Sequence, residues 1–401
     1  MSDAPMYRQV ALLASAQALF QTASVMVMTI GGLAGQRIAA DPQLATAPIA
    51  AMFLGTAMAT FPAAMLMTRF GRRNGFVSGA LLGVFGGLVA AAGIWTGSLW
   101  LLSLGTLLVG AYQGFAQFYR FAAAEVADDR FRPKAISFVL AGGVVAAIAG
   151  PELGRRGADV IEPAFLGSFL ILAVLSLVAM AVLLGFRAPP GAKAAASGGG
   201  RPLRAIIAQP VYMIALFGAA TGYGVMILGM TATPLAMAHH HHDFSDTTRV
   251  IQAHVLGMFI PSFFTGALIA RFGVWRIMAA GIGLFAAHIA IASSGTSLYS
   301  FGAALVLLGI GWNFLYIGGT TLLTGTYTAA ERGRAQGFND LTIFAVSLAA
   351  SLLSGALLQS LGWQMLNLIL VPWLAVAFVA ILWLGFRRSV PAPVTSPRGS
   401  S

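Results

Sequence analysis

Three residues in the stretch 107–134, LLVGAYQGFAQFYRFAAAEVADDRFRPK, stand out for their chemistry: Gln113, Gln117 and Arg120. At about 100° per residue they fall within an arc of roughly 60° on one helix face. Two amides and a guanidinium on one face offer hydrogen bonds and a fixed positive charge to a polar solute. The first long apolar stretch repeats the spacing with Gln17, Gln21 and Ser24. A later one carries Asn313, Tyr316, Thr320 and Thr324 within about 80° of arc, with Trp312 beside them. Tyr223 and Thr221 sit in another, next to Gly222 and Gly224, where a Gly-rich bend is expected.

The elements that must hold these groups are membrane spans. The chain is 58% hydrophobic and 9% charged, where a soluble domain would carry about 25% charge. Apolar runs of about 20 residues recur, each long enough to cross ~30 Å of hydrocarbon. Twelve are read: 8–33, 47–68, 75–95, 99–124, 134–152, 164–186, 207–237, 248–270, 275–294, 298–324, 335–359 and 364–386. The fold class is all-α integral membrane. No cysteine is present, which excludes disulfides and thiolate metal sites. The N-terminal stretch lacks a small-residue cleavage site and is expected to be a retained anchor.

Net charge is +11, and its placement explains it better than nucleic-acid binding does. Of the 23 Lys and Arg, all but five fall in loops on one side of the twelve spans. The exceptions are Arg120, inside a span, and Arg37, Arg155, Arg156 and Arg249 on the other side. The positive-inside rule then puts both termini in the cytoplasm, with the protein in an inner membrane. Arg120 costs roughly 2.5–3.5 kcal/mol near mid-span, so its default reading is functional. The nine Leu, Val and Phe residues between Trp100 and Ala124, at about −0.3 to −0.6 kcal/mol each, offset it with little left over.

The linker APPGAKAAASGGGRP splits the chain six spans plus six. The domains are then an N-terminal bundle (1–187), a cytoplasmic linker (188–204), a C-terminal bundle (205–388) and a disordered tail (389–401). The halves repeat at a shift of 200 residues. Val25 and Met26 match Val225 and Met226, Leu107 and Leu108 match Leu307 and Leu308, and Arg132 and Ala135 match Arg332 and Ala335. Arg69, Phe70 and Gly71 match Arg271, Phe272 and Gly273 at a shift of 202. Parallel six-span repeats about an axis along the membrane normal are a secondary-transporter architecture.

At Arg69, Gly71, Arg72 and Arg73 the chain resembles the major facilitator superfamily, whose loop between spans two and three reads Gly-x-x-x-Asp-Arg-x-Gly-Arg-Lys. The Gly and Asp positions are Ala64 and Thr68 here. The second copy keeps Gly266 and Arg271, with Ala270 at the Asp position. Gln113 and Gly114 match part of the Arg-x-x-Gln-Gly element of the family's drug–proton antiporters, with Gly110 at the Arg position. Gly150, Pro151 and Gly154 look like the antiporter Gly-Pro-x-x-Gly element. The resemblance implies that spans one, four, seven and ten line a central cavity, and that the motif loops Arg69–Arg73 and Arg271–Gly273 serve conformational change. The expected cavity residues are Gln17, Gln21, Gln113, Gln117, Tyr223, Trp312, Asn313 and Tyr316. The competing reading is that these groups only hold helices together.

Arg120 has three readings. It snorkels to the interface, it draws in an anionic solute, or it pairs with Asp340 and Asn339 when the cytoplasmic gate closes. In the third, protonation of Asp340 loosens the pair and couples transport to protons. The cluster His239–His242 could hold a metal but also reads as a solvated cap with no metal site, and His254 and His288 as buried polar glue. Glu152 is expected to pair with Arg155 and Arg156. No Gly-x4-Gly-Lys-Ser/Thr is present, so ATP-driven pumping is not expected. The function expected is alternating-access transport of a small polar or anionic organic solute, proton-coupled, by a monomer without cofactor. Departures from the antiporter elements favour uptake or exchange over drug or metabolite efflux by proton antiport. A non-transporting sensor or a membrane enzyme would need a signalling domain or a catalytic cluster that the chain lacks.

Overall fold

A computed structural model of the chain describes residues 4–128, 131–187, 200–328 and 331–389. The described residues are helical with no strand, as hydrocarbon requires of any backbone that crosses it. Ten helical segments are long and apolar enough to span. A bent pair, Phe244–Phe259 with Ser262–Phe272, makes one more at an angle of 43°, the break falling at Pro261, which cannot donate to the helix ladder. The segment 333–383 holds two spans, because Gly362 inside it has φ 76° and ψ 173°. The count is therefore the twelve expected.

Several boundaries differ from the sequence reading. The first helix runs Ala4–Ile38, longer than 8–33. Span four is Leu99–Ala116 followed, after a turn at Gln117 and Phe118, by Tyr119–Val126. Span five is likewise divided, Arg132–Leu140 and Gly142–Ala158. The bend expected at Gly222 and Gly224 is absent, since Pro210–His239 is one continuous helix. Gly222 serves packing instead: a Cβ there would lie 3.1 Å from the Leu315 side chain. Most of the expected linker, and the tail beyond Ser389, lie outside the described residues. A short helix, Leu203–Ile207, begins where the linker was expected to end.

The internal repeat is carried in the backbone. Gly71 (φ 85°, ψ 159°) and Gly273 (φ 86°, ψ 148°) each join two spans through a single residue in a conformation closed to side chains with a Cβ. Arg69 lies over the Phe70 ring and Arg271 over the Phe272 ring, both at 5.2 Å. Close helix crossings recur too. A Cβ on Gly110 would sit 1.9 Å from the Met52 carbonyl oxygen, and one on Gly309 would sit 2.4 Å from that of His254. Small residues at these crossings let spans two and four, and eight and ten, touch backbone to backbone.

The two bundles are joined toward the face away from the basic loops. Thr46 donates to the Ser351 carbonyl at 2.7 Å, and the Gln252 amide to that of Ile148 at 2.9 Å. Leu235 packs near Gly32, and Phe165 against Phe244. Apolar residues from both bundles form one continuous core there. Toward the basic face the N-terminal bundle has a separate core around Phe76, Tyr112, Tyr119 and Phe186. The bundles thus share packing on the far side and part toward the basic side.

Candidate functional site

At the level where the bundles part, spans seven and ten build an aromatic cluster. Trp312 and Tyr316 stack with centroids 5.1 Å apart and planes 14° from parallel. Tyr223 meets them edge-on at 5.3 and 5.1 Å. Each such pair contributes about 0.5–1.5 kcal/mol beyond area burial. The rings are held by one continuous helix on each side, so the platform is rigid. The Trp312 indole Nε1 is buried and has no hydrogen-bond partner.

Arg120 brings a positive charge to this cluster from the other bundle. Its side chain reaches Tyr316 and lies within electrostatic range of Asp340 and Tyr223. The guanidinium carbon is 4.9 Å from the Phe121 ring centroid, and Nε is buried without a partner. A buried donor left unpaired costs about 1–3 kcal/mol, more when charged. Arg120 therefore does not snorkel; it faces the bundle divide. Asp340 lies nearby but forms no ion pair with it here, and instead accepts a bond of 3.0 Å from the Asn339 amide.

Amides of the first and fourth spans lie near one another. Gln17 donates to Gln21 at 3.3 Å. Gln17, Gln117 and Arg120 line a cavity of about 30 Å³, the share of roughly one water. Gln113 is half-buried, with its Oε1 3.2 Å from the Thr56 hydroxyl.

Asn313 departs from the expectation of a cavity residue. It is fully buried inside the C-terminal bundle. Its amide donates to the Met258 carbonyl at 2.7 Å and to the Ser262 hydroxyl at 2.6 Å, and its oxygen faces the Thr265 hydroxyl at 2.6 Å. Gln113 and Asn313 are repeat mates at the 200-residue shift, and in the second the amide is wholly committed to helix contacts. Helical phase brought Asn313 onto the polar stripe; the bent eighth span captured it, with the Met258 carbonyl before Pro261 and the Ser262 and Thr265 hydroxyls after it.

The charged loops behave as structural ties. Arg72 of the first motif loop grips Glu125 at the end of span four and lies 5.6 Å from the Phe118 ring. Arg73 and Arg69 are exposed. Glu152 pairs with Arg155 and Arg156 as expected. One tie escaped the sequence reading: Arg201 clamps Glu331, with its guanidinium at 2.8 and 2.9 Å and its backbone N–H at 2.8 Å. The Arg201 guanidinium, helped by the Thr328 and Arg201 backbone N–H groups, holds the Glu331 carboxyl well below the usual range. The partners are 130 residues apart, and no local pattern joins them.

Among the described residues, no group of three or more His, Asp or Glu side chains is placed to hold a metal. In the His239–His242 cluster, His242 Nε2 lies 2.7 Å from the Thr296 carbonyl. His254 and His288 are buried, with Nδ1 on the carbonyls of Leu305 and Ala304, and His288 Nε2 meets Asn367 at 3.0 Å.

Twelve spans in two repeated bundles, enclosing aromatic and amide groups and a buried arginine at their divide, define a membrane carrier for a small solute. The chain belongs to the Major Facilitator Superfamily, whose family model matches residues 12–253 and 213–400. It is 44% identical over 378 residues to the riboflavin transporter RfnT of Brucella anthropi, covering 94% of this chain and 95% of that one. It is 30% identical over 390 residues to the MFS-type transporter YdeG of Bacillus subtilis, covering 91% and 89%. Among solved structures, a mutant form of the nucleoside transporter NupG superposes with a TM-score of 0.74 at 14% identity, covering 94% of this chain and 99% of that one. A POT-family peptide transporter superposes at 0.70 and 15% identity, covering 98% and 99%. The protein is a multi-pass secondary transporter of a small organic solute, and not an enzyme.

Proposed function

We propose that the protein carries riboflavin, or a solute with the same flat heteroaromatic ring system, across a bacterial inner membrane. The observation that carries this reading is the rigid Tyr223–Trp312–Tyr316 platform facing Arg120 across the bundle divide. A fused flavin ring offers an apolar face for stacking and an edge of carbonyl and ring-nitrogen acceptors. The platform suits the face; the unpartnered Arg120 Nε and the amides of Gln117 and Gln17 suit the edge. The resemblance to a riboflavin transporter along 94% of the chain supports the same solute class. Alternating access follows by rocking one bundle on the other. In the conformation described, the far side is closed. Closing the basic side instead brings the inner ends of spans four and eleven together, where Arg120 pairs with Asp340, and protonation of Asp340 loosens the pair.

Uptake of labelled riboflavin into cells that cannot make it, and binding to purified protein, test the reading. Saturable uptake is expected. Tyr316→Leu removes one stacking face, worth about 1–2 kcal/mol, and should weaken binding about 5- to 30-fold. Asp340→Asn should flatten the pH dependence of uptake. Failure of the wild-type protein both to bind and to carry riboflavin refutes the solute; an unchanged pH profile in Asp340→Asn refutes the coupling.

A further inference from the structure

A second cavity, of about 400 Å³, lies at the far ends of both bundles, well away from the aromatic platform. Gln36 of span one forms part of one wall. His239 of span seven and the residues around the Gly362 kink, Gln359, Trp363 and Gln364, form another. The volume falls within the range of small-molecule sites, roughly 300–1,000 Å³.

Trp363 anchors one wall of the cavity. The residue is 3% exposed, its ring rests on Phe301 at 5.0 Å, and its Nε1 is buried with no hydrogen-bond partner. Buried as it is, Nε1 does not open onto the cavity. The amides of Gln36, Gln359 and Gln364 reach the same space and are exposed. No carboxylate, lysine or arginine lines the cavity. Donors and imidazole without full charges suit an uncharged ring system rich in carbonyl and ring-nitrogen acceptors, and disfavour ions, which would go unpaired.

We propose that this cavity is a second binding site for the transported class of solute, holding its acceptor atoms on the Gln36, Gln359 and Gln364 amides. The proposal rests on the riboflavin reading above. The site exists only while the far side is shut: its walls come from both bundles, and Thr46 donates to the Ser351 carbonyl one turn from Gly355, itself a lining residue. A molecule seated there binds the closed far side and opposes its opening.

Equilibrium dialysis of riboflavin against the full chain in lipid nanodiscs tests this. Two equivalents per chain are expected. Gln36→Leu with Gln364→Leu, both at exposed positions, should remove one equivalent. Trp312→Ala should remove the other. A single equivalent that Trp312→Ala abolishes and the far-end variants leave untouched overturns the second site while the transport reading stands. Riboflavin bound at neither place overturns both.

Discussion

Replacing Asn313 by Leu separates a helix tie from a solute ligand. The Asn313 side chain makes three contacts inside the C-terminal bundle, at 2.6–2.7 Å. Hydrogen bonds between membrane helices average about 0.6 kcal/mol each, with a maximum near 1.7. Losing three therefore costs about 2 kcal/mol. The Thr265 hydroxyl keeps its bond of 2.8 Å to the Pro261 carbonyl, so little further penalty arises there. The repeat mate Gln113 has one such contact, at 3.2 Å to Thr56, and Gln113→Leu should cost about 0.6 kcal/mol by the same measure. Unfolding of the purified protein in mixed micelles by added SDS gives both numbers. A double-mutant cycle of Asn313→Leu with Thr265→Val should return a coupling of about 0.6–1.7 kcal/mol. The reasoning is refuted if Asn313→Leu leaves stability unchanged yet abolishes solute binding, because Asn313 would then face the solute rather than span eight.

Two further outcomes are expected. Gly110→Ala forces a Cβ to 1.9 Å from the Met52 carbonyl oxygen, a backbone atom that cannot step aside, whereas Gly283→Ala adds one where nothing lies within 4 Å. Overpacking should destabilise the first by about 1–3 kcal/mol or more and leave the second near wild type in the same SDS titration. Glu331→Gln removes a carboxylate whose folded pKa is depressed by Arg201. The stabilisation is present above the unfolded glutamate value of about 4.3 and is lost as pH falls through the depressed folded value. The melting temperatures of Glu331→Gln and wild type should therefore differ at pH 7 and still differ at pH 5; a gap already closed at pH 5 contradicts the clamp.

Much of this protein could be read along the chain. Span number follows from apolar length against bilayer thickness, while span boundaries failed where a helix runs on beyond its apolar stretch, as in Ala4–Ile38, or where a Pro or a local turn acts within it, as at Pro261 and Gln117. The repeat was visible because single residues with special backbone needs, such as Gly71 and Gly273, sit at a nearly constant offset. Arg120 announced itself because a charge in an apolar run costs free energy, although snorkelling to the interface was a competing reading that only the structure removed. The polar faces bearing Gln17 and bearing Gln117 and Arg120 were legible one helix at a time, since helical phase puts each on a face and lipid disfavours turning it outward; that the two faces meet was only what the family resemblance implied.

The sequence by itself determined which faces are polar, because period and hydrophobicity are local properties of a helix. Only the tertiary structure decided what each polar face meets. Asn313 and Gln113 carry the same amide at matching positions on their stripes, yet one is consumed by its neighbours on span eight and the other is half-buried with one contact, to the Thr56 hydroxyl. The Arg201–Glu331 clamp and the cavity beside Trp363 join residues far apart in the chain. Their partners are chosen by how helices cross, a distance that no periodicity encodes.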